Sequence, residues 1–270
     1  MFLRSHQLTE SLGWSPADTA YGGWGYAVRP PRKPAGSGRP PFDADLSSTL
    51  FAVGALRCAG VPTDDPAIRV ARRFVEQCQN FAPNDADADL DDGGFFLTPT
   101  NPGQNKAGVR STDRVGRRRY ASYGSATADG LRALLRCGLD ADHPRVQAAH
   151  RWLERNFDAE TNPGVFAPAR TADRDGPYFY WCWSVAHALR ACGAETIERD
   201  GVTIDWAAVL AAALVRRQRA DGSWANPISF TKEDDPLIAT PLAAAALANC
   251  RLAITARVAA EQSRRSPARD

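Results

Sequence analysis

The segment Asp43-Ala44-Asp45-Leu46-Ser47-Ser48-Thr49 sets two carboxylates one residue apart at the start of an apolar stretch. A buried carboxyl group can hold a proton and deliver it, so Asp45, with Asp43 as its partner, is the candidate general acid. Asp45 also stands where helices take an N-cap, a role that needs only a side-chain oxygen. A second acidic string, Asp89-Leu90-Asp91-Asp92, follows Asp85 and Asp87 and runs into Gly93-Gly94-Phe95. It reads as a solvated acidic loop, with loose divalent-cation binding as the other reading. Tyr178, Phe179, Tyr180, Trp181 and Trp183 crowd one helix start, and Tyr120 and Tyr123 open another. With Ser125, Thr127 and Thr240 at the same level, they offer aromatic faces and hydrogen bonds to a cavity, although such runs also fill cores.

Other chemistries have little to stand on. The six cysteines form no Cys-x-x-Cys pair, and Cys182 and His187 are five residues apart, a poor spacing for joint ligation on a helix, so core packing is the better reading of His187. No metal or cofactor is expected. Only Lys33, Lys106 and Lys232 are lysine among 33 basic residues, which leaves few candidates for Schiff-base chemistry. The chain has no Gly-x-Ser-x-Gly elbow, P-loop, His-Glu-x-x-His or dinucleotide glycine fingerprint. A net charge of +2 over 270 residues, 44% of them apolar, describes a soluble globular chain and argues against nucleic acid as a partner. No apolar run reaches the roughly 18 residues that span a bilayer, and MFLRSHQLTE lacks a signal-peptide core. The expectation is a cytoplasmic protein or one peripheral to a membrane. Arg110, Arg114 and Arg117-Arg118-Arg119, in the loop Asn101–Arg119, are the candidate contacts for phosphate or anionic lipid.

The elements that must position these residues repeat. AVGALRCAG, GLRALLRCG, AHALRACG and AAAALANC close on Cys58, Cys137, Cys192 and Cys250, separated by 55 to 79 residues, enough for two helices and a loop. Each cysteine reads as a small helix-end residue. Asp65-Pro66, Asp142-His143-Pro144 and Asp205 each open a second helix, and in the first of these Ile68, Ala71, Phe74 and Val75 recur at helical spacing. That pattern marks amphipathic outer helices around more uniformly apolar inner ones. Glycine-aromatic turns follow: Gly22-Gly23-Trp24, Gly93-Gly94-Phe95, Gly164-Val165-Phe166 and Gly222-Ser223-Trp224. Ahead of three of them an apolar pair precedes Gln7, Gln79 and Gln218, whereas the third repeat has Phe157 in place of glutamine. The organisation is one repeat domain over residues 1–261, with repeats near 1–28, 43–98, 120–170 and 176–230, a final helix at 235–260, and an unstructured tail at 262–270. Residues Arg29–Pro41 read as a loop.

This combination resembles the QW repeat of squalene-hopene cyclases, oxidosqualene cyclases and protein prenyltransferase β subunits, over nearly the whole chain. Arg217–Trp224, with Gln218, Gly222 and Trp224 in order, is its most specific piece. The resemblance implies an all-α, α/α-toroid fold. The first glutamine element lies at residues 2–7, so the chain starts inside a repeat, and seven or eight helices are expected rather than a closed ring of twelve. An open arc or a laterally paired homo-oligomer follows. The cyclases start their reaction with an Asp-x-Asp-Asp acid at an inner-helix start; Asp43 and Asp45 match it and Leu46 replaces the last aspartate. The implied function is an apolar, isoprenoid-type ligand in a central cavity, with carbocation cyclase (isomerase) chemistry begun by Asp45. A zinc prenyltransferase is disfavoured, because Pro177 stands where that family's Asp-Gly-Cys-Tyr stretch has cysteine, and Ala239 precedes Thr240 where its ligand histidine would fall. The other reading is a noncatalytic repeat scaffold that binds lipid, peptide or protein.

Overall fold

The computed structural model describes residues 2–34, 44–82, 91–112 and 118–265; Asp43, Asp89, Arg114 and Arg117 lie outside them. In chain order the elements are α1 (Phe2–His6), α2 (Leu46–Cys58), α3 (Pro66–Gln77), β1 (Val109–Thr112), β2 (Arg118–Tyr120), α4 (Gly124–Arg136), α5 (Pro144–Asn156), α6 (Thr171–Asp175), α7 (Tyr178–Ala191), β3 (Ile197–Arg199), β4 (Val202–Ile204), α8 (Trp206–Arg216) and α9 (Pro236–Arg265). The protein is mostly helical. It is not purely so: β1 pairs with β2 and β3 with β4 as small antiparallel hairpins, the first of them largely within the segment Asn101–Arg119 read as a loop. The second hairpin turns on Asp200-Gly201, whose φ angles of 52° and 76° are those of a two-residue turn matched to strand twist. Nine helices stand among the described residues, above the seven or eight expected; α1 and α6 are single turns of five residues.

The long helices sort into two sets. α2 packs on α4, α4 on α7 and α7 on α9, forming an inner row; α3 packs outside α2 and α4, α5 outside α4, and α8 outside α9 and α7. Helix α3 buries Ile68, Ala71, Phe74 and Val75, the stripe its spacing predicts. Helix α4 is buried without a break from Gly124 to Leu134. Starts are capped from the side chain: Asp65 accepts from Ala67 N–H at 2.9 Å and Asp205 from Ala208 N–H at 3.0 Å. In α5 the cap is His143 rather than Asp142, its Nδ1 accepting from Arg145 N–H at 3.2 Å. Stops are set by Gly60, Gly138 and Gly193, whose φ angles of 83°, 89° and 69° suit a left-handed C-terminal turn. Cys58, Cys137 and Cys192 therefore sit at helix ends. Cys250 does not, because Arg251 follows it instead of glycine and α9 runs on to Arg265. Residues 262–265, expected as tail, are its last turn, and 266–270 lie outside the described residues.

Helix α9 changes one further expectation. Its span Pro236–Ala260 is long and apolar enough to cross a membrane by length and composition. Alanine raises its average although Asn249 and Arg251 interrupt the run. One face, Ala239, Ala243, Ala246 and Cys250, is buried against α7 and α8, as a scaffold helix requires.

Three kinds of side chain, glutamine, aromatic and threonine, stitch the turns at Trp24, Phe95 and Trp224. The Gln79 amide donates to Gly93 C=O at 3.0 Å and to Arg145 C=O at 2.9 Å, while its oxygen accepts from the Arg145 guanidinium at 3.0 Å. Gln7 likewise reaches Gly22 C=O at 3.0 Å and Ala67 C=O at 2.8 Å. Each glutamine thus ties its own turn to the first residues of the following outer helix. Gln218 reaches only Gly222 C=O, at 2.9 Å, and is exposed, since no outer helix follows α9 among the described residues to offer it a second carbonyl. The turn aromatic then closes on the helix before it: Trp24 Nε1–H donates to Leu3 C=O and Trp224 Nε1–H to Leu214 C=O, both at 2.8 Å. Its backbone N–H donates to a threonine of the next inner helix, from Trp24 to Thr49 at 3.1 Å, Phe95 to Thr127 at 3.0 Å and Trp224 to Thr240 at 3.1 Å. The Gln79→Ala substitution, which strands two carbonyls and an arginine, is expected to lower unfolding free energy by about 2–4 kcal/mol, against under about 0.5 kcal/mol for Gln218→Ala. Urea denaturation of the two variants beside the parent chain measures the difference.

Candidate functional site

The starts of α2, α4, α7 and α9 converge on a cavity of about 460 Å³. Its apolar wall is Leu97, Ala126, Ile238 and Leu242 with the rings of Tyr123 and Tyr180; its polar wall is Asp45, Ser47, Lys106, Ser125, Asp129 and Glu233. Exposed Tyr26 and Gln104 stand at its rim. Helix starts meet here because each inner helix follows a turn stitched to the preceding repeat, so the chain enters every inner helix from the same end.

Three carboxylates face this space, and each is already held. Asp45 Oδ1 accepts from Ser47 Oγ–H and Ser48 N–H, both at 2.8 Å, and Oδ2 from Ser48 Oγ–H at 2.7 Å, making Asp45 the N-cap of α2. Burial pushes its carboxyl above the ordinary carboxylate range, while the serine donors pull the other way. Asp129, on α4, accepts from Tyr180 Oη–H at 2.7 Å and Ser184 Oγ–H at 2.6 Å across to α7, and from Arg132 one turn on at 3.3 Å. Its carboxyl is raised by burial and held back by Arg132 and the two hydroxyls. Glu233 comes from the loop before α9 and caps another helix: Oε2 accepts from Phe179 N–H and Oε1 from Tyr180 N–H, both at 2.8 Å, at the start of α7. Burial pushes the Glu233 carboxyl up to about 7 against those two amides and Lys106. Lys106 is the one cation of the cavity wall among the described residues, with its ammonium 5.4 Å from the Phe230 ring, and burial lowers its pKa against the pull of Asp173, Glu233 and Asp45.

Of the residues singled out from sequence, Asp45, Tyr123, Ser125 and Tyr180 meet in this wall. The others lie elsewhere. Tyr120 is buried against Phe96 at 5.0 Å, and Tyr178 donates to Ala159 C=O at 2.8 Å beside Arg217. Trp181 is fully buried and donates to Asp158 C=O at 2.9 Å. Thr127 and Thr240 are spent on the turn N–H groups of Phe95 and Trp224. The acidic string before Phe95 is structural at its described end. Asp92 accepts from Gly94 N–H at 2.9 Å, Ser122 Oγ–H at 2.7 Å and Trp152 Nε1–H at 3.3 Å, and Asp91 pairs with Arg119. Among the described residues no group of three His, Cys, Asp or Glu side chains is placed to hold a metal ion.

Asp129, Glu233 and Lys106 were missed from sequence. Asp129 had a signal, a lone charge inside the buried run Ala126–Leu131 followed at i+3 by Arg132. Glu233 had none, since Thr231-Lys232-Glu233-Asp234-Asp235 reads as an exposed charged loop and only the folding of that loop over α7 buries it. Comparison of the chain with protein-family models, with curated proteins and with solved structures finds no match.

The raised Glu233 carboxyl makes stability fall with pH. The folded state holds its proton more tightly than the unfolded chain, so stability is retained below the unfolded value of 4.5 and lost as pH rises through about 7. That loss is expected to be on the order of 2–3 kcal/mol between pH 5 and 8. The Glu233→Gln variant should show a flatter profile over the same interval in denaturant titrations.

Proposed function

We propose that the chain is an open arc of the α/α toroid, and that it acts as a binding protein for an amphipathic, isoprenoid-sized molecule held in the cavity at the inner-helix starts. The geometry supports an apolar body against Leu97, Ile238, Leu242 and the two tyrosine rings, with a hydroxyl or amine end among Asp45, Asp129 and Glu233. A volume of about 460 Å³ falls within the range of small-molecule sites.

One observation carries this reading: all three cavity carboxylates are engaged by donors fixed in the fold. Both oxygens of each carboxylate accept from those donors, which leaves no acid O–H aimed into the cavity at an alkene. A wall so arranged is preorganised to recognise a ligand, not to give up a proton. Acid-initiated cyclisation has one feature in its favour, the burial that raises Asp45 within sight of Tyr123 and Tyr180, whose faces could stabilise a cation. Leu46 in place of a third acid leaves that proton without its tuning partner.

Titration calorimetry with a C15 prenyl alcohol and the corresponding prenyl amine is expected to show saturable binding, the amine the tighter because of the carboxylates. The Leu242→Trp variant, which fills the cavity, should bind at least about tenfold more weakly while its melting temperature stays near the parent value. Incubation with squalene or shorter prenyl substrates is expected to return them unchanged. A cyclised product that disappears in Asp45→Asn would replace the binding reading with the catalytic one.

A further inference from the structure

At the opposite end of the inner helices lies a second concavity of about 340 Å³, walled by Arg57, Arg132, Leu135, Arg136, His187 and Ala191. We propose that this concavity is an oxyanion site that takes a phosphate group.

A simpler account covers part of it. Arg57 and Arg136 lie in the last turns of α2 and α4, where a positive charge complements the helix dipole. That account explains two separate arginines; it does not explain their convergence with Arg132 and His187 on one hollow whose wall, among the described residues, holds no carboxylate. Arg132 lies in the middle of α4, its side chain 2% exposed. Its Nη1 is held by Asp129 and Ser184 and its guanidinium lies 4.2 Å from the Trp183 ring centroid, yet its buried Nε–H has no partner. A buried, unused donor on a fixed guanidinium is costly unless something arrives to accept from it.

Arg136 has been given room. Its Nη1 donates to Leu50 C=O at 3.3 Å and lies where a side chain at Gly54 would otherwise be, since a Cβ there would stand 2.5 Å from that nitrogen. Glycine inside a helix costs about 1 kcal/mol relative to alanine, so α2 gives up helix stability at the position that admits this guanidinium. His187 packs edge-on to Trp183, and its charged neighbours are Arg132, Arg136 and Arg190, all basic. Burial and those arginines lower His187 to about 4, so at neutral pH it is an uncharged hydrogen-bonding group. Arg132 is paired with Asp129, which leaves Arg57 and Arg136 as two positive charges with no carboxylate among the described residues of the wall. A phosphate group carries about −1.5 to −2 at pH 7 and has the oxygens to accept from planar guanidinium forks.

The test is calorimetry of the full chain with inorganic phosphate, paralleled by co-sedimentation with phosphatidylcholine vesicles with and without phosphatidic acid. Saturable phosphate binding is expected, weakened about tenfold by Arg57→Gln and by Arg136→Gln, the loss of one charged hydrogen bond each. Arg57 is exposed and bonds only to Val61 C=O, so its variant reports on binding even if Arg136→Gln folds poorly. Sedimentation with acidic vesicles alone, lost in both variants, would assign the phosphate to a lipid headgroup and also support the site. The cavity variant Leu242→Trp should keep phosphate binding, which separates this result from the fate of the prenyl ligand. Absence of both kinds of binding, or binding that neither arginine variant changes, would overturn the proposal.

Discussion

The structure depends on satisfying buried helix starts. When four helices begin around one hollow, the first N–H groups of α2, α4 and α7 point where bulk water is largely excluded, and each unpaired amide there costs about 1–3 kcal/mol. The chain answers with one acceptor per helix: Asp45 for α2, Asn162 for α4, Glu233 for α7 and Asp235 for α9. Two of these four, Asp45 and Glu233, also form the cavity wall. The acidity of the cavity is in part a by-product of capping, which is why its carboxylates are so fully hydrogen-bonded.

The same accounting explains the repeat. A turn between an outer and an inner helix leaves backbone groups in the interior, and glutamine, indole and threonine each take some of them. Glutamine and the aromatic residue were legible in the sequence because few residue types can replace them. Threonine was not legible in that role. Thr127 and Thr240 read as cavity hydroxyls, and Thr49 drew no notice, yet all three accept from the same turn N–H. Thr49 and Thr127 also return their hydroxyl protons to backbone oxygens four residues earlier, at Asp45 and Tyr123. Trp181 stands four residues after Pro177, the register of Thr49 after Asp45, so its side chain faces the preceding turn and not the cavity. The third repeat thus replaces a hydroxyl with an indole where it also replaces glutamine with Phe157.

Helix pairing was legible because apolar spacing and proline caps are local, and most of the site was not because its members come from distant loops. Glu233 reaches α7 across more than 50 residues of chain. Tyr178 is an aromatic residue at a helix start like Tyr123 and Tyr180, and Tyr120 ends β2 shortly before α4, but both are turned away from the cavity and fill packing gaps. Residue type placed them near the right end of the fold; only the rotation of each helix decides which ring sees the hollow.

The inner helices α2, α4 and α7 begin at the cavity and finish at the arginine pocket, so their dipoles act together along the concave face. Acids gather at the positive ends and bases at the negative ends, each group favoured by the field of several helices at once. On α4, Ser125, Asp129, Arg132 and Arg136 follow one another at helical spacing down that face, and the change of sign falls between Asp129 and Arg132. That buried pair lies where the two fields meet, which gives the ion pair a reason beyond its modest bond at 3.3 Å. It separates a region that prefers a neutral or cationic group from one that prefers an anion. A ligand of uniform character would suit one end of the face and be disfavoured at the other, so the polarity of the helix row limits what each hollow can hold.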